Sequence, residues 1–583
     1  MKKIIKYIGI GLISLSLASC ADILDKEPLT EVSGNALWKD PALVKSFVNS
    51  RYNQVGYAGT ESMQSSVVDE TELTWIRGCE VSNFARLSPT DLGRMNGAWY
   101  GSDNRSWSTE WTNISNCNIF FEHIKDVPFA TEQERTLQIG QVRFIRAYEY
   151  FDLISRWGGL PIITHSFTIN NRADIINQKR AAYKDCIDFL VAQLDSAAAE
   201  LPATWSGTDY GRATSVAAKA LKSRVLLYAA SDLMNKDVKS SLVGYITPDA
   251  NRWQKAADAA TDALNSALAA GYKLYKVDPD PSKNYQQIFL DNTSANTETL
   301  FARMGTSSSN GQNISNMDQY DTPNGYGGWG GNCPLAELVD DYEVLKDGKA
   351  SKFDWNNKEE ADSPYVNRDP RLYATILYDG ASWMGRNVET YFNVDVSGTE
   401  IGGGKDTRYG NDSWNASPTG YYMKKFLDEN YKENSWNFSA KNWIIIRLAE
   451  VYLNQAEALY ETGDEGGARK AVNAVRERAG MPDITASGSD LLEAIRHERR
   501  IELVLEEHRY FDVRRWKDAP MYFGTTVHAV TIHVKPDGSK TYFDSALRSS
   551  IGGDRKWDDK MYWLPIPKAE MDKNPNFVQN PGY

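Results

Sequence analysis

The chain has 583 residues, 24% of them charged, with a formal net charge of −12 and five cysteines. The acidic balance argues against nucleic acid as a partner, and Cys79, Cys117, Cys186 and Cys333 form neither a CxxC pair nor a zinc-site spacing. Aromatic residues make up 11%, with 17 Trp and 31 Tyr, too many for any single site, so most of them belong to a core.

The chain opens MKKIIKYIGIGLISLSLASC. Lys2, Lys3 and Lys6 precede an apolar run from Ile8 to Leu17 that is too short to span a bilayer, as in an export signal over residues 1–19. Leu17, Ala18, Ser19 and Cys20 resemble a bacterial lipobox, in which the Cys20 thiol is acylated and becomes the first residue of the mature protein. Several acyl chains, at about 0.8 kcal/mol per buried methylene, hold a protein far more firmly than one. No later segment offers eighteen consecutive apolar residues, so a tethered body over 20–583 is expected rather than a spanning one.

After a loop-rich region, 21–104, helical patterns come in pairs. Residues 112–124 precede 132–157, and 181–201 precede 213–231. A third pair is split: 253–271 finds its partner only at 442–463, and 465–480 with 489–516 make the fourth. Ala456, Tyr460, Gly463, Ala468 and Ala471 follow the small-and-aromatic spacing of tetratricopeptide repeats. The expected fold is mostly α, with four such helix pairs stacked as a right-handed solenoid over about 105–271 and 442–520. The stretch 272–441 differs, being rich in Gly, Asn, Asp, Tyr and Trp, with short strands expected in GYYMKKF and RLYATILYDG. Irregular inserts on a rigid scaffold are where binding concentrates. A tail, 521–583, follows.

Several enzyme motifs fail on inspection. RHERRIE places Ile501 where a zincin needs its second histidine, and TEIGGGKDT has Thr399 and Asp406 at the first-glycine and Ser/Thr positions of a phosphate loop. No GxSxG elbow occurs. The acidic turns VDPDPSKN and DDYEVLKDGK do not fit a calcium loop, so no metal and no cofactor is expected. Paired carboxylates for glycoside hydrolysis stay open, because their separation is a three-dimensional property.

With DILDKEP, RFIRAYEYFDLISRWGGLP, GRATSVAAKALKSRVLLYAAS, WIIIRLAEVYLNQAEAL, AVNAVRERAGMP, ERRIELVLEEHRYFDVRRW and the ending YWLPIPKAEMDKNPNFVQNPGY in order along the chain, the sequence resembles the SusD/RagB family of outer-membrane nutrient-binding lipoproteins from end to end. The resemblance implies a non-enzymatic binder on the cell surface, lipid-anchored in the outer membrane. Such a protein captures glycan or peptide and closes as a lid over a SusC-like TonB-dependent barrel transporter. Arg143, Arg146 and Glu149 lie at helical spacing on an apolar stretch and are read as scaffold charges.

A sugar presents C–H groups on one face and hydroxyls at its rim, so its site needs flat aromatic platforms beside amide, carboxylate and guanidinium groups. PNGYGGWGGNCP, 323–334, supplies Tyr326 and Trp329 with Asn324 and Asn332 beside them, on glycines that would let backbone approach a bulky ligand. The alternative for Trp329 is a loop anchor buried in the body. From 67–107 the resemblance carries over Asp69 and Trp99 as a ligand acid and aromatic, with Trp75 on the same irregular stretch; YDGASWMGRN adds Trp383 and Arg386, or else is a plain surface hairpin. A neutral oligosaccharide or polysaccharide is the expected ligand.

Overall fold

The computed structural model describes residues 34–53, 55–56, 63–75, 78–96, 106–168, 171–305, 316–430, 440–547 and 554–583. Cys20 and Trp99 lie outside the described residues. In chain order the scaffold helices are α1 (Trp107–His123), α2 (Glu132–Trp157), α3 (Tyr183–Glu200), α4 (Ser215–Ala230), α5 (Asn251–Ala269), α6 (Leu448–Glu461), α7 (Glu465–Ala479) and α8 (Ser489–Glu502). Its strands include β1 (Thr71–Leu73), β2 (Thr299–Arg303), β3 (Asn332–Pro334), β4 (Phe392–Val394), β5 (Glu400–Gly403), β6 (Trp443–Arg447), β7 (His528–Val534) and β8 (Lys540–Ala546).

Helix starts follow side-chain capping. Ser106, Thr131, Thr214 and Asp464 each accept a hydrogen bond from the backbone N–H three residues on, satisfying a donor that the first helical turn leaves unpaired. Each helix then packs on the next: α1 on α2, α2 on α3, α3 on α4, α4 on α5, α5 on α6, and α6 on both α7 and α8. The split pair is joined as expected, with Ala256, Ala257 and Ala458 packed in one small cluster and Gln455 Nε2 donating to Thr261 Oγ1 at 3.0 Å. Arg143 and Arg146 serve the scaffold: the first forks onto Glu200 at 2.8 and 2.9 Å, the second reaches Asn118 and Gln193. The protein is mostly helical, with a few small sheets.

Two helix boundaries differ from the periodicity. WIIIR, expected as the start of a helix from 442, is the fully buried strand β6, paired antiparallel with β2. Its β-branched run suits a strand buried on both faces, and apolar periodicity alone cannot separate the two. The helix expected over 489–516 breaks into α8 and Arg509–Arg515, with Leu505 and Glu507 in left-handed backbone at φ 62° and 68°. Their break is held by long-range contacts: Leu505 N–H donates to the Glu70 carboxyl at 3.1 Å, and Glu507 accepts from Gln64 N–H at 3.0 Å. In the insert, GYYMKKF and RLYATILYDG do carry strands and pair with each other, Tyr422 opposite Leu377, but Pro370–Thr375 is helical.

A buried ionic cluster joins the insert to the scaffold. Arg447, at the end of β6, reaches Glu298 at 2.8 Å, Glu502 at 2.6 Å and Glu506 at 2.7 Å. Arg371 of the insert reaches Asp369 at 2.7 Å and Glu502 at 2.9 Å, and Lys425 reaches Glu506 at 2.7 Å. Arg476 of α7 links Glu343 of the insert to Glu498 of α8 at 2.9 and 3.0 Å. Burial raises the Glu506 carboxyl, but Arg447 and Lys425 outweigh it and hold the group below its ordinary value. Cys79, Cys117, Cys186 and Cys333 are free thiols, all buried. Among the described residues no helix is long and apolar enough to cross a membrane.

Candidate functional site

The glycine-rich loop is a tight coil laid back on the helix Met317–Asp321. Trp329 N–H donates to the Gln319 carbonyl at 2.9 Å, Gly330 N–H to Thr322 at 3.0 Å, and Gly331 N–H to Tyr320 at 2.8 Å. A Cβ at Gly331 would sit 2.1 Å from the Tyr320 ring, so this glycine admits the protein's own tyrosine, where the composition of the loop suggested room for a ligand. β3 continues from this coil and pairs antiparallel with β1, Leu73 opposite Asn332, which brings Trp75 beside Trp329 across 254 residues of chain.

Four rings meet there. Trp75 packs edge-on against Tyr320 at 5.3 Å and Trp329 at 6.3 Å, Tyr320 and Trp329 lie 6.1 Å apart, and Trp414 leans on Trp75 at 5.8 Å. Exposure rises in steps: Tyr320 is buried, Trp75 and Trp329 are half-buried, and Trp414 is 64% exposed. Trp414 stands on a strap, residues 407–415, that Asn324 clamps by donating to the carbonyls of Thr407 at 3.1 Å and Asn411 at 2.7 Å. Asn411, Asp412 and Ser413 are exposed beside the indole and supply polar rim groups. With Trp414 64% exposed the rings form an open shelf, and a groove of about 620 Å³ lies apart from it along α3, α4 and α5.

Other residues singled out from the sequence turn out to be spent on the fold. Asp69 is buried between Arg500 at 2.6 Å and Arg509 at 2.8 Å; burial raises its carboxyl, but the two guanidinium groups hold it far below the usual range. Asn332 is buried, its amide donating to Asp321 at 2.9 Å and its carbonyl accepting from Ser66 at 3.0 Å. Trp383 is 0% exposed: YDGASWMGRN is a hairpin, Ser382 opposite Asn387, whose tryptophan points inward. Tyr326 is buried beneath Arg386, whose guanidinium lies 3.6 Å from the ring centroid and forks onto Asp406 at 2.7 and 2.8 Å. Burial raises the Tyr326 phenol, so it stays protonated. Of the expected residues the structure brings together Trp75 and Trp329, while Tyr326 and Arg386 form a neighbouring staple.

Trp414 and Tyr320 were not among the residues expected to bind. GNDSWNASP shares the mark that singled out Trp329, a tryptophan among turn-formers, and could have been found by it. Among the described residues no group of three or more His, Cys, Asp or Glu is placed to hold a metal ion.

Comparisons with known proteins agree with this architecture. Residues 297–583 match the model of the SusD family, and residues 25–227 match a model described as starch-binding associating with outer membrane. A crystal structure of a SusD-like protein from Bacteroides fragilis superposes with a TM-score of 0.74 at 31% identity, covering 96% of this chain and all of that one. The chain belongs to the SusD/RagB family. A SusD-like protein of Formosa agariphila is 24% identical over 98% of both chains, and the starch-binding protein SusD of Bacteroides thetaiotaomicron is 23% identical over 100% of this chain and 99% of its own. A laminarin-binding SusD-like protein shares the fold at TM-score 0.62 and 21% identity, over 94% of this chain and all of that one. Two of these relatives are carbohydrate-binding proteins by name, and the fold seen here is theirs.

Proposed function

We propose that this SusD-like protein is a surface binder of neutral glycan, lipid-anchored at Cys20 in the outer membrane, that delivers its ligand to a SusC-like TonB-dependent transporter. The observation that carries the binding role is the stepped cluster Trp75, Trp329 and Trp414, which rises from a buried tyrosine to an open indole with amide, carboxylate and hydroxyl groups at its rim. A large exposed indole costs solvation without adding to the core, so its placement on a clamped strap favours a ligand that stacks on it. The names of the relatives that bind starch and laminarin support a glycan over a peptide. The lipobox and the family's outer-membrane description support the location; the delivery step rests on family resemblance.

Stacking contacts worth roughly 0.5–1.5 kcal/mol each on three rings, with hydrogen bonds of about 1 kcal/mol net, set against the cost of association, give affinities from micromolar to millimolar. That range suits capture followed by release. Affinity electrophoresis and calorimetry against a glycan panel, with a peptide pool beside it, test the reading. Trp414→Ala is expected to lose glycan retention while its melting temperature stays put. Trp329→Ala is expected to lose both retention and some stability, since its ring is half-buried. Retention by Trp414→Ala equal to the parent, binding of peptides alone, or release of reducing ends from any glycan would refute it.

A further inference from the structure

The four-stranded sheet, ordered β5-β4-β7-β8, carries an aromatic row on its outer face. Phe392 of β4 and His533 of β7 are register partners in parallel strands, so their side chains stand on one face. Val530 and Ile532 of β7 are buried, and the residues between and beyond them, Thr531 and His533, face outward. Tyr409 meets Phe392 with centroids 6.2 Å apart, and on the other flank Phe543 meets His533 at 5.1 Å. Neighbouring strands run about 4.8 Å apart, so the two ring pairs, Tyr409–Phe392 and His533–Phe543, follow one another across the sheet as a row. The Arg408 guanidinium lies 4.5 Å from the Phe392 centroid and is ion-paired with Glu400.

Tyr409 is 47% and Phe543 42% exposed; with Trp414 they are the three most exposed Phe, Tyr and Trp side chains among the described residues. Tyr409 and Trp414 also share one strap, the one Asn324 clamps. Five residues of chain reach at most about 17 Å, so the row begins within that distance of the exposed indole.

We propose that this row is a second carbohydrate subsite, continuous with the shelf at Trp414, and that the ligand is an extended glycan chain long enough to lie on both. The proposal rests on the glycan reading above. The row is one ring wide, with Thr531 and Thr541 among the rings and exposed Lys535 at its margin. That form suits a narrow amphipathic chain better than a protein partner, which covers about 800 Å² on each side. A chain held at Trp414 meets the second shelf as an intramolecular contact, so long ligands gain affinity and short ones do not.

The test is the double variant Tyr409→Ala/Phe543→Ala, with Trp414→Ala in parallel and equal melting temperatures as the folding check. The probes are laminarin, amylopectin, xylan, mannan and galactan, and for those that bind, their oligomers of two to eight units. The double variant is expected to lose about tenfold in affinity for polymer and the longest oligomers, two stacking contacts being removed, and nothing for the shortest. Trp414→Ala is expected to weaken all lengths. Parent-like polymer binding by the double variant, or a loss equal at every length, overturns the second subsite and leaves the first standing. A change in oligomeric state by light scattering assigns the row to self-association and overturns it likewise. If the parent binds no probe, the glycan reading fails and this inference with it.

Discussion

Arg447→Met tests whether the buried ionic cluster fastens the loop-rich insert to the helices. Arg447 is 1% exposed and directs its guanidinium at Glu298, Glu502, both oxygens of Glu506 and the Glu502 carbonyl, all between 2.6 and 2.8 Å. Removing it does not strip any carboxylate bare: Glu506 keeps Lys425 at 2.7 Å, Glu502 keeps Arg371 at 2.9 Å, and Glu298 keeps the Tyr275 N–H at 2.8 Å. Five charge-assisted bonds at about 1.5–3 kcal/mol would overstate the loss, since the remaining cations re-share the charge, so the figure for breaking a buried pair, about 3–5 kcal/mol, applies. The sign with pH follows from Glu506. A carboxyl held below its unfolded value of about 4.5 adds stability above that pH and loses it as pH falls through the folded value. The gap between parent and variant should therefore be widest near pH 7.5 and narrow towards pH 3. Urea unfolding followed by tryptophan fluorescence across that range reads both quantities. A loss under about 1 kcal/mol, or one independent of pH, would refute the assignment of the cluster as the joint.

Two further outcomes are expected. Trp383→Ala should cost about 3–5 kcal/mol by opening a cavity, seen as a lowered urea midpoint, while the folded fraction keeps its parent glycan affinity in calorimetry; lost affinity with parent stability would return Trp383 to the ligand surface. Glu70 is buried, and burial outweighs its hydrogen bond from Leu505 N–H and the nearby Arg500 to raise its carboxyl to about 8. The folded state then holds a proton that the unfolded state releases near pH 4.5, so stability from this group is present below that pH and lost as pH rises towards 8. Glu70→Gln should match the parent at pH 4 and exceed it at pH 8 by on the order of 4 kcal/mol. Equal midpoints at both pH values would count against a neutral Glu70.

The scaffold was legible because its signal is local. Glu132–Trp157 repeats its apolar residues at helical spacing and opens on Thr131 followed by Glu134, a capping pattern visible in the sequence. The break after Glu502 was not legible, because Leu505 and Glu507 are held by Glu70 and Gln64, more than 400 residues away. The site was half legible for the same reason. Turn-formers around Trp329 marked an aromatic on irregular backbone, yet the same composition surrounds Asn332 and Trp383, which face inward; the pairing of β1 with β3, the clamp at Asn324 and the Ser382–Asn387 hairpin decide which side each takes.

The strap that carries Tyr409 and Trp414 is held by Asn324 on two of its carbonyls, by the Arg408–Glu400 ion pair and, just before its first residue, by Tyr422 Oη donating to the Asp406 carbonyl at 2.9 Å. Its outward side chains Arg408, Tyr409, Asn411, Ser413 and Trp414 contribute little to the core, so exchanging them costs the fold within about half a kcal/mol apiece, whereas Gly410 is fixed by the Lys405 carbonyl that a Cβ would meet at 1.8 Å. The exposed face of the strap can therefore be exchanged residue by residue while the helical chassis beneath it is inherited intact.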